Sequence, residues 1–286
     1  MRLVIHAGLH KTASTYLQHV LVLNRQALRA RNVYFEPDAH MLANHGTAWM
    51  TLLDNVEHVA AHIRLAARAG YDAAILSSED FETLIFDHER ARSVVQAARQ
   101  AGAVEIEWHF CLRDPGDYFA SLYAQLSKLA FVEYGAAFVA ALRDGRVRVF
   151  RQQRRYPLYW DFCLDYETHL AAFANAVACP VHLHDFRDAT PFPGHAAVAA
   201  LAPGLTLALP GESSRNRRVA ADAAEAGYAD ALAAILGPAD LGDRVAGWFR
   251  ARLHIPEDVD ARCREALSRK YAPGMERLLQ ASPLGA

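Results

Sequence analysis

MRLVIHAGLHKTASTYLQ, residues Met1 to Gln18, passes from a strand through a tight turn into a helix. Leu3, Val4 and Ile5 form an apolar run too short for a helix, as expected of a parallel strand covered on both faces. Gly8 then allows a turn that a Cβ would resist. From Ser14 onward, Tyr16, Leu17, Val20, Leu21 and Leu23 recur at helical spacing, with Thr12, Ser14 and Thr15 around the helix start. Free amides, the positive end of a helix dipole and the Lys11 charge would converge on one spot, and a phosphate-like anion suits it. The plainer reading is that the hydroxyls cap the helix and Lys11 is solvated. A Walker loop needs glycine directly before the lysine, and His10 stands there, so an ordinary ATPase or GTPase is not the first choice.

GLHKTASTYLQ resembles the 5'-phosphosulfate loop of the sulfotransferases that use 3'-phosphoadenosine 5'-phosphosulfate (PAPS). There a lysine is followed by a hydroxyl residue, a small residue and two further hydroxyls, which here are Lys11, Thr12, Ala13, Ser14 and Thr15. The family usually has glycine at the place of Ala13, and this departure asks the loop to keep φ negative there. A second segment, FCLRDPGDYFASLYAQ, adds to the resemblance. The family's 3'-phosphate site is an arginine at a strand end and a serine eight residues on, as Arg113 and Ser121 are here. Val104, Ile106, Phe110 and Leu112 predict the strand, Asp114-Pro115 ends it, and Asp117 is placed to cap the following helix. Arg113 pairing with Asp114 or Asp117 is the structural alternative.

The resemblance implies a three-layer α/β fold like that of the P-loop NTPases, with a mostly parallel central sheet and a helix-rich C-terminal part. It implies residues 1–286 as one domain, with a core over about 1–190 and a helical part over about 191–286. His10, Lys11, Thr12, Ala13, Ser14 and Thr15 would hold the phosphosulfate, and Tyr16 would stack near adenine. Arg113 and Ser121 would bind the 3'-phosphate. In the family a later loop returns to that phosphate, which makes Arg215 a candidate beside Ser214, Asn216, Arg217 and Arg218; helix capping by Ser213 or Asn216 explains the same residues.

A hydroxyl acceptor must lose its proton during transfer, so a base is required. YDAAILSSED predicts a buried strand over Ala73–Leu76 with Glu79 at its carboxyl end, the edge where open parallel sheets bind ligands. Several carbohydrate sulfotransferases use a glutamate at a comparable place, and Glu79 is the first candidate. Capping of the next helix by Glu79 or Asp80, or a capping box with Ser77 or Ser78, competes with that role. His45, beside Asn44 in a mixed segment on the acceptor side of the loop, is the reserve base. The expected product is 3'-phosphoadenosine 5'-phosphate (PAP), with no metal required, and a carbohydrate or glycolipid is the expected acceptor. An ATP-dependent small-molecule kinase and a non-catalytic nucleotide-binding module are the alternatives.

The remaining sequence sets bounds. At 286 residues with a net charge of −2 the chain can build a large core and shows no nucleic-acid face. Its four cysteines, Cys111, Cys163, Cys179 and Cys263, lie far apart with no zinc spacing, and read as small buried residues of a reducing compartment. No signal segment or membrane span is visible, so a cytoplasmic protein is expected, and the alanine and arginine content suggests a GC-rich bacterial gene. Val181, Leu183 and Phe186 alternate with His182, His184 and Asp185 as in a half-buried strand. Its two histidines lack a third partner for a metal in the sequence.

Overall fold

The computed structural model describes residues 1–38, 43, 45–129, 132–153, 156–202, 204–210 and 255–285. Five strands form a parallel sheet: β1 (Arg2–His6), β2 (Val33–Tyr34), β3 (Ala73–Ser77), β4 (Glu105–Leu112) and, after a separate antiparallel hairpin of β5 (Arg146–Gln153) and β6 (Tyr156–Cys163), β7 (Val181–Asp185). Their order across the sheet is β2-β3-β1-β4-β7, with β1 at the centre. Every neighbouring pair in that sheet is parallel. Such a sheet buries both faces, which accounts for the apolar run of β1.

The period-2 alternation of the strands sorts their side chains into two layers. Leu3, Ile5, Leu76, Trp108, Phe110 and Leu183 enter the larger core. It is covered by α4 (Glu57–Arg68), α5 (His88–Gln100), α6 (Pro115–Leu129), α7 (Tyr134–Asp144) and α8 (Tyr166–Val177), with α10 (Glu257–Ala281) packed on α6, α7 and α8. On the other face, Ala73 and Ile75 meet Leu17, Val20 and Leu21 of α1 (Ser14–Leu23), Leu28 of α2 (Arg25–Ala30) and Val198 of α9 (His195–Leu201). A short α3 (Thr47–Leu52) precedes α4. Helix, sheet and helix therefore make the three-layer α/β arrangement expected from the alternating pattern. No helix among the described residues is long and apolar enough to cross a membrane.

The central position of β1 fixes where a ligand can sit. The chain leaves β1 toward β2 and β3 on one side and continues through β4 and β7 on the other. Connections thus diverge at the carboxyl end of β1, which is where open α/β sheets carry their crevice. The outer edge of β7 is closed by the chain's end: the Val181 amide donates to the Leu284 carbonyl (3.0 Å), and the Leu183 amide donates to the Ser282 hydroxyl (2.9 Å). Pairing of this kind protects an edge strand from other chains.

One local expectation is corrected. Asp114, not Asp117, starts α6: its Oδ1 accepts from the amides of Gly116 and Asp117, both at 3.0 Å. Pro115 then occupies the first helical position, where its missing N–H costs nothing, and Asp117 pairs with Arg264 of α10 instead. The segment around Trp160 and Phe162, unassigned in the sequence, is the second strand of the hairpin. It pairs antiparallel with β5, Trp160 opposite Val149 and Phe162 opposite Val147.

Candidate phosphate site at the carboxyl edge of the sheet

The loop from Gly8 to Ala13 leaves the end of β1 in a conformation that most residues resist. Gly8 has φ +35, and a Cβ there would lie 2.5 Å from the Ser14 hydroxyl and 3.1 Å from the His6 ring. Lys11 (φ 62) and Ala13 (φ 66) are both left-handed. The expectation of a negative φ at Ala13 is therefore overturned: the backbone keeps the shape that suits glycine, and alanine adopts it at a cost of roughly 1–2 kcal/mol. Two strained residues in one turn persist only when their surroundings hold them.

Glu82 supplies that hold, and sequence reasoning missed it. It lies in a 3-10 helix, Glu79–Ile85, that follows β3, and is fully buried. One carboxylate oxygen accepts from the His10 amide and stands 2.9 Å from the His10 Nδ1, with the amide bond also 2.9 Å. The other accepts from the Tyr118 hydroxyl (2.6 Å) and the Cys163 amide (2.9 Å). A single side chain thus ties the loop to the 3-10 helix, α6 and β6. His10 itself is buried against Trp160 and Phe162, at ring distances of 5.8 and 5.0 Å. Burial alone would lower its pKa, but the bonds to Asp80 and Glu82 outweigh that and raise it to about 10. The ring is therefore an imidazolium at neutral pH, and the His10 amide is committed to Glu82 rather than open to a ligand.

Thr12 and Ser14 do not cap α1. Both hydroxyls turn back to the Leu9 carbonyl, at 2.5 and 3.3 Å, so they brace the loop from within. Ala13 occupies the N-cap place, and no side chain accepts from the first amides of the helix. The capping reading of these hydroxyls is thereby set aside, and the start of α1 keeps the unpaired donors that every helix begins with. Thr15 and Tyr16 are partly exposed on the first turn, with Tyr16 5.7 Å from the Phe192 ring.

Arg113 leaves the end of β4 and reaches the loop. Its guanidinium donates to the Lys11 carbonyl (3.1 Å) and lies 5.0 Å from the centre of the Phe186 ring. The Tyr166 hydroxyl donates to the Arg113 carbonyl (2.9 Å), fixing the backbone from which the side chain extends. The carboxylates of Asp114 and Asp117, the structural alternative for Arg113, serve the α6 N-terminus, Ser268 and Arg264. Ser121 is partly exposed on α6. Arg215 and Asn44 lie outside the described residues.

Glu79 occupies the third side of this edge. Its Oε2 accepts from the Gln18 side chain of α1 (2.9 Å), and among the described residues its second oxygen carries no hydrogen bond. Ser78 caps the 3-10 helix by accepting from the Asp80 amide at 3.4 Å, so Glu79 is not the cap. His45 is fully buried, its Nδ1 accepts from the Ser77 amide (3.0 Å), and burial lowers its pKa to about 4. Lys11, Glu79 and Arg113 thus stand at the carboxyl ends of three adjacent strands, whereas His45 is packed beneath them. Comparison of this chain with known families, curated proteins and solved structures finds no match.

Proposed function

We propose that the protein is a sulfotransferase that moves a sulfuryl group from PAPS to a hydroxyl acceptor. The observation that carries this reading is the contact between Arg113 and the Lys11 carbonyl, which joins two motifs 102 residues apart into one cationic edge. An uncapped helix start and a lysine in a strained turn favour a phosphosulfate beside it. The arginine fork on the neighbouring strand suits a second phosphate, as a 3'-phosphorylated nucleotide presents. Ser121 is its proposed partner, and Tyr16 is the proposed adenine neighbour.

Sulfuryl transfer resembles phosphoryl transfer in proceeding in line through a loose transition state, so positioning and charge stabilisation supply most of the rate. The acceptor oxygen forms a bond to sulfur as the bridging S–O bond to the nucleotide breaks, and PAP leaves. Lys11 stabilises the negative charge that gathers on the leaving oxygen. Glu79, steadied by Gln18, takes the acceptor's proton. The committed hydroxyls of Thr12 and Ser14 shape the loop, which leaves the first amides of α1 to meet the anion. A carbohydrate or glycolipid is the proposed acceptor class. The geometry offers less to the kinase alternative, because His10 and its buried partners fill the place of the Walker glycine.

Calorimetric titration of the full chain with PAP, and with ATP plus Mg²⁺ as rival, tests the reading. PAP should bind in preference, with affinity reduced about 10-fold or more by Arg113→Ala and by Lys11→Ala, the equivalent of about 1.4 kcal/mol. Preference for ATP, or indifference of PAP binding to Arg113, would overturn it. Bound PAP with no transfer from PAPS to any hydroxyl acceptor would instead leave a nucleotide-binding module.

A further inference from the structure

The histidine-rich face of β4 and β7 lies apart from the phosphate edge and does not depend on the nucleotide reading. Glu107 and His109, two residues apart on β4, project to the same face. His182 stands directly across from His109 in the parallel β4–β7 register, which brings a third side chain to that face. The ligand atoms of Glu107, His109 and His182 all lie within 4.8 Å of one another. We propose that these three side chains form a binding site for a divalent transition-metal ion of the zinc class.

Geometry separates this from an ordinary polar cluster. The Glu107 Oε2 lies 3.4 Å from His109 Nε2 and 3.6 Å from His182 Nε2. Those separations are long for hydrogen bonds to a carboxylate, which centre near about 2.7–2.9 Å. They match ligand atoms that share an ion: bonds of about 2.0–2.1 Å set tetrahedral ligand atoms about 3.3 Å apart. The two rings lie nearly parallel, 4.7 Å between centres, and the His182 side chain is 30% exposed, so a small rotation closes the set.

A second layer orients the buried ligand. His109 Nδ1 lies 2.9 Å from His184 Nε2. With the Nδ1 proton donated to His184, the His109 Nε2 lone pair points at Glu107, the arrangement that metal-bound histidines use. Arg2 grips Glu107 from the opposite side with two bonds of 2.9 Å, leaving the carboxylate lone pairs on the histidine side for the ion. The sequence places His182 and His184 on a polar strand face but gives no third ligand, because Glu107 and His109 come from a strand 75 residues earlier than His184. Three protein ligands leave a fourth position for water, the open coordination of reactive rather than purely structural zinc sites.

The test uses the full chain stripped by a chelator, then titrated with Zn²⁺ by calorimetry and with Co²⁺ by visible absorption. One ion should bind per chain with Kd of about 10 μM or tighter. Glu107→Gln and His182→Asn should each weaken it about 10-fold or more, and His184→Gln should weaken it as loss of an outer partner does, also by about 10-fold. His58→Asn, an exposed histidine on α4, should change nothing. Zn²⁺ should raise the melting temperature of the wild type and not of His182→Asn. Absence of a Co²⁺ band and of Zn²⁺ binding at about 100 μM in the wild type would overturn the site whatever the variants do. Equal binding by a folded His182→Asn or Glu107→Gln would place the ion elsewhere and overturn it as well.

Discussion

Glu82→Gln is the substitution that the loop geometry makes most informative. It keeps the side-chain shape but replaces one acceptor oxygen by an NH₂ group. In the wild type four donors converge on the two oxygens: the His10 amide and ring on one, the Tyr118 hydroxyl and the Cys163 amide on the other. With the glutamine oxygen turned toward His10, the NH₂ faces Tyr118, whose hydroxyl can rotate to accept, and Cys163, whose amide cannot. One buried backbone N–H is then orphaned, at about 1–3 kcal/mol. The imidazolium of His10 also loses its nearest counter-charge, and removing one member of a buried pair costs about 3–5 kcal/mol in comparable sites. Because both losses fall on one side chain and do not add, we expect a total of about 3–5 kcal/mol in urea unfolding, with the m-value unchanged. The pH dependence supplies a second readout. The folded pKa of His10, raised to about 10, lies above its ordinary value of 6.5. Its charge therefore contributes stability fully below about pH 6.5, and that contribution is lost as pH rises toward about 10. Glu82→Gln should flatten this decline relative to the wild type, while His10→Gln should remove it. A loss below about 1 kcal/mol, or an unaltered slope between the same pH limits, would refute the claim that Glu82 and charged His10 hold the loop.

Two further substitutions test the backbone reading directly. Ala13→Gly removes a Cβ from a left-handed residue at φ 66, relieving strain that slightly exceeds the added chain entropy; a gain of about 0.5–1 kcal/mol in the urea unfolding free energy is expected, and destabilisation would show that Ala13 is unstrained. Gly116→Ala would set a Cβ 2.2 Å from the Arg264 carbonyl oxygen and 2.5 Å from the Ser268 hydroxyl, where α10 crosses α6. Backbone is the nearest neighbour there, so the helices must separate, with an expected loss of about 2–3 kcal/mol by thermal unfolding; a melting temperature within about 2 °C of wild type would contradict that close crossing.

The sheet was legible because its strands are short, apolar and punctuated. Ala73–Leu76 is closed by two serines and Val181–Phe186 is opened by Pro180, and both fall in the β-sheet within a residue of where their pattern puts them. Lys11, Arg113 and Glu79 were legible for the related reason that the ends of parallel strands gather at one edge. What pattern could not show was long-range pairing. Glu82 sits three residues after Glu79 in a segment that already reads as acidic and polar, and nothing local distinguishes a carboxylate with four buried donors from a solvated one. The left-handed φ of Ala13 was hidden because alanine is the wrong residue to signal it. Nothing in the sequence singles out Glu107 and His109, since their partner His182 is supplied by sheet register.

The strain in the loop and its contacts form one argument. Lys11 and Ala13 would relax if the turn were free, yet the turn is held at every side: Glu82 takes the His10 amide, Thr12 and Ser14 take the Leu9 carbonyl, and Arg113 takes the Lys11 carbonyl. The last contact matters most for binding. Arg113 orders the carbonyl beside the lysine while presenting its guanidinium at the end of the next strand, so the two proposed phosphate subsites share a residue. Losing Arg113 would therefore loosen the loop as well as remove the proposed partner of a phosphate. A nucleotide carrying both phosphates is the ligand that uses this coupling in full, and a ligand with a single anionic group would engage only one end of it.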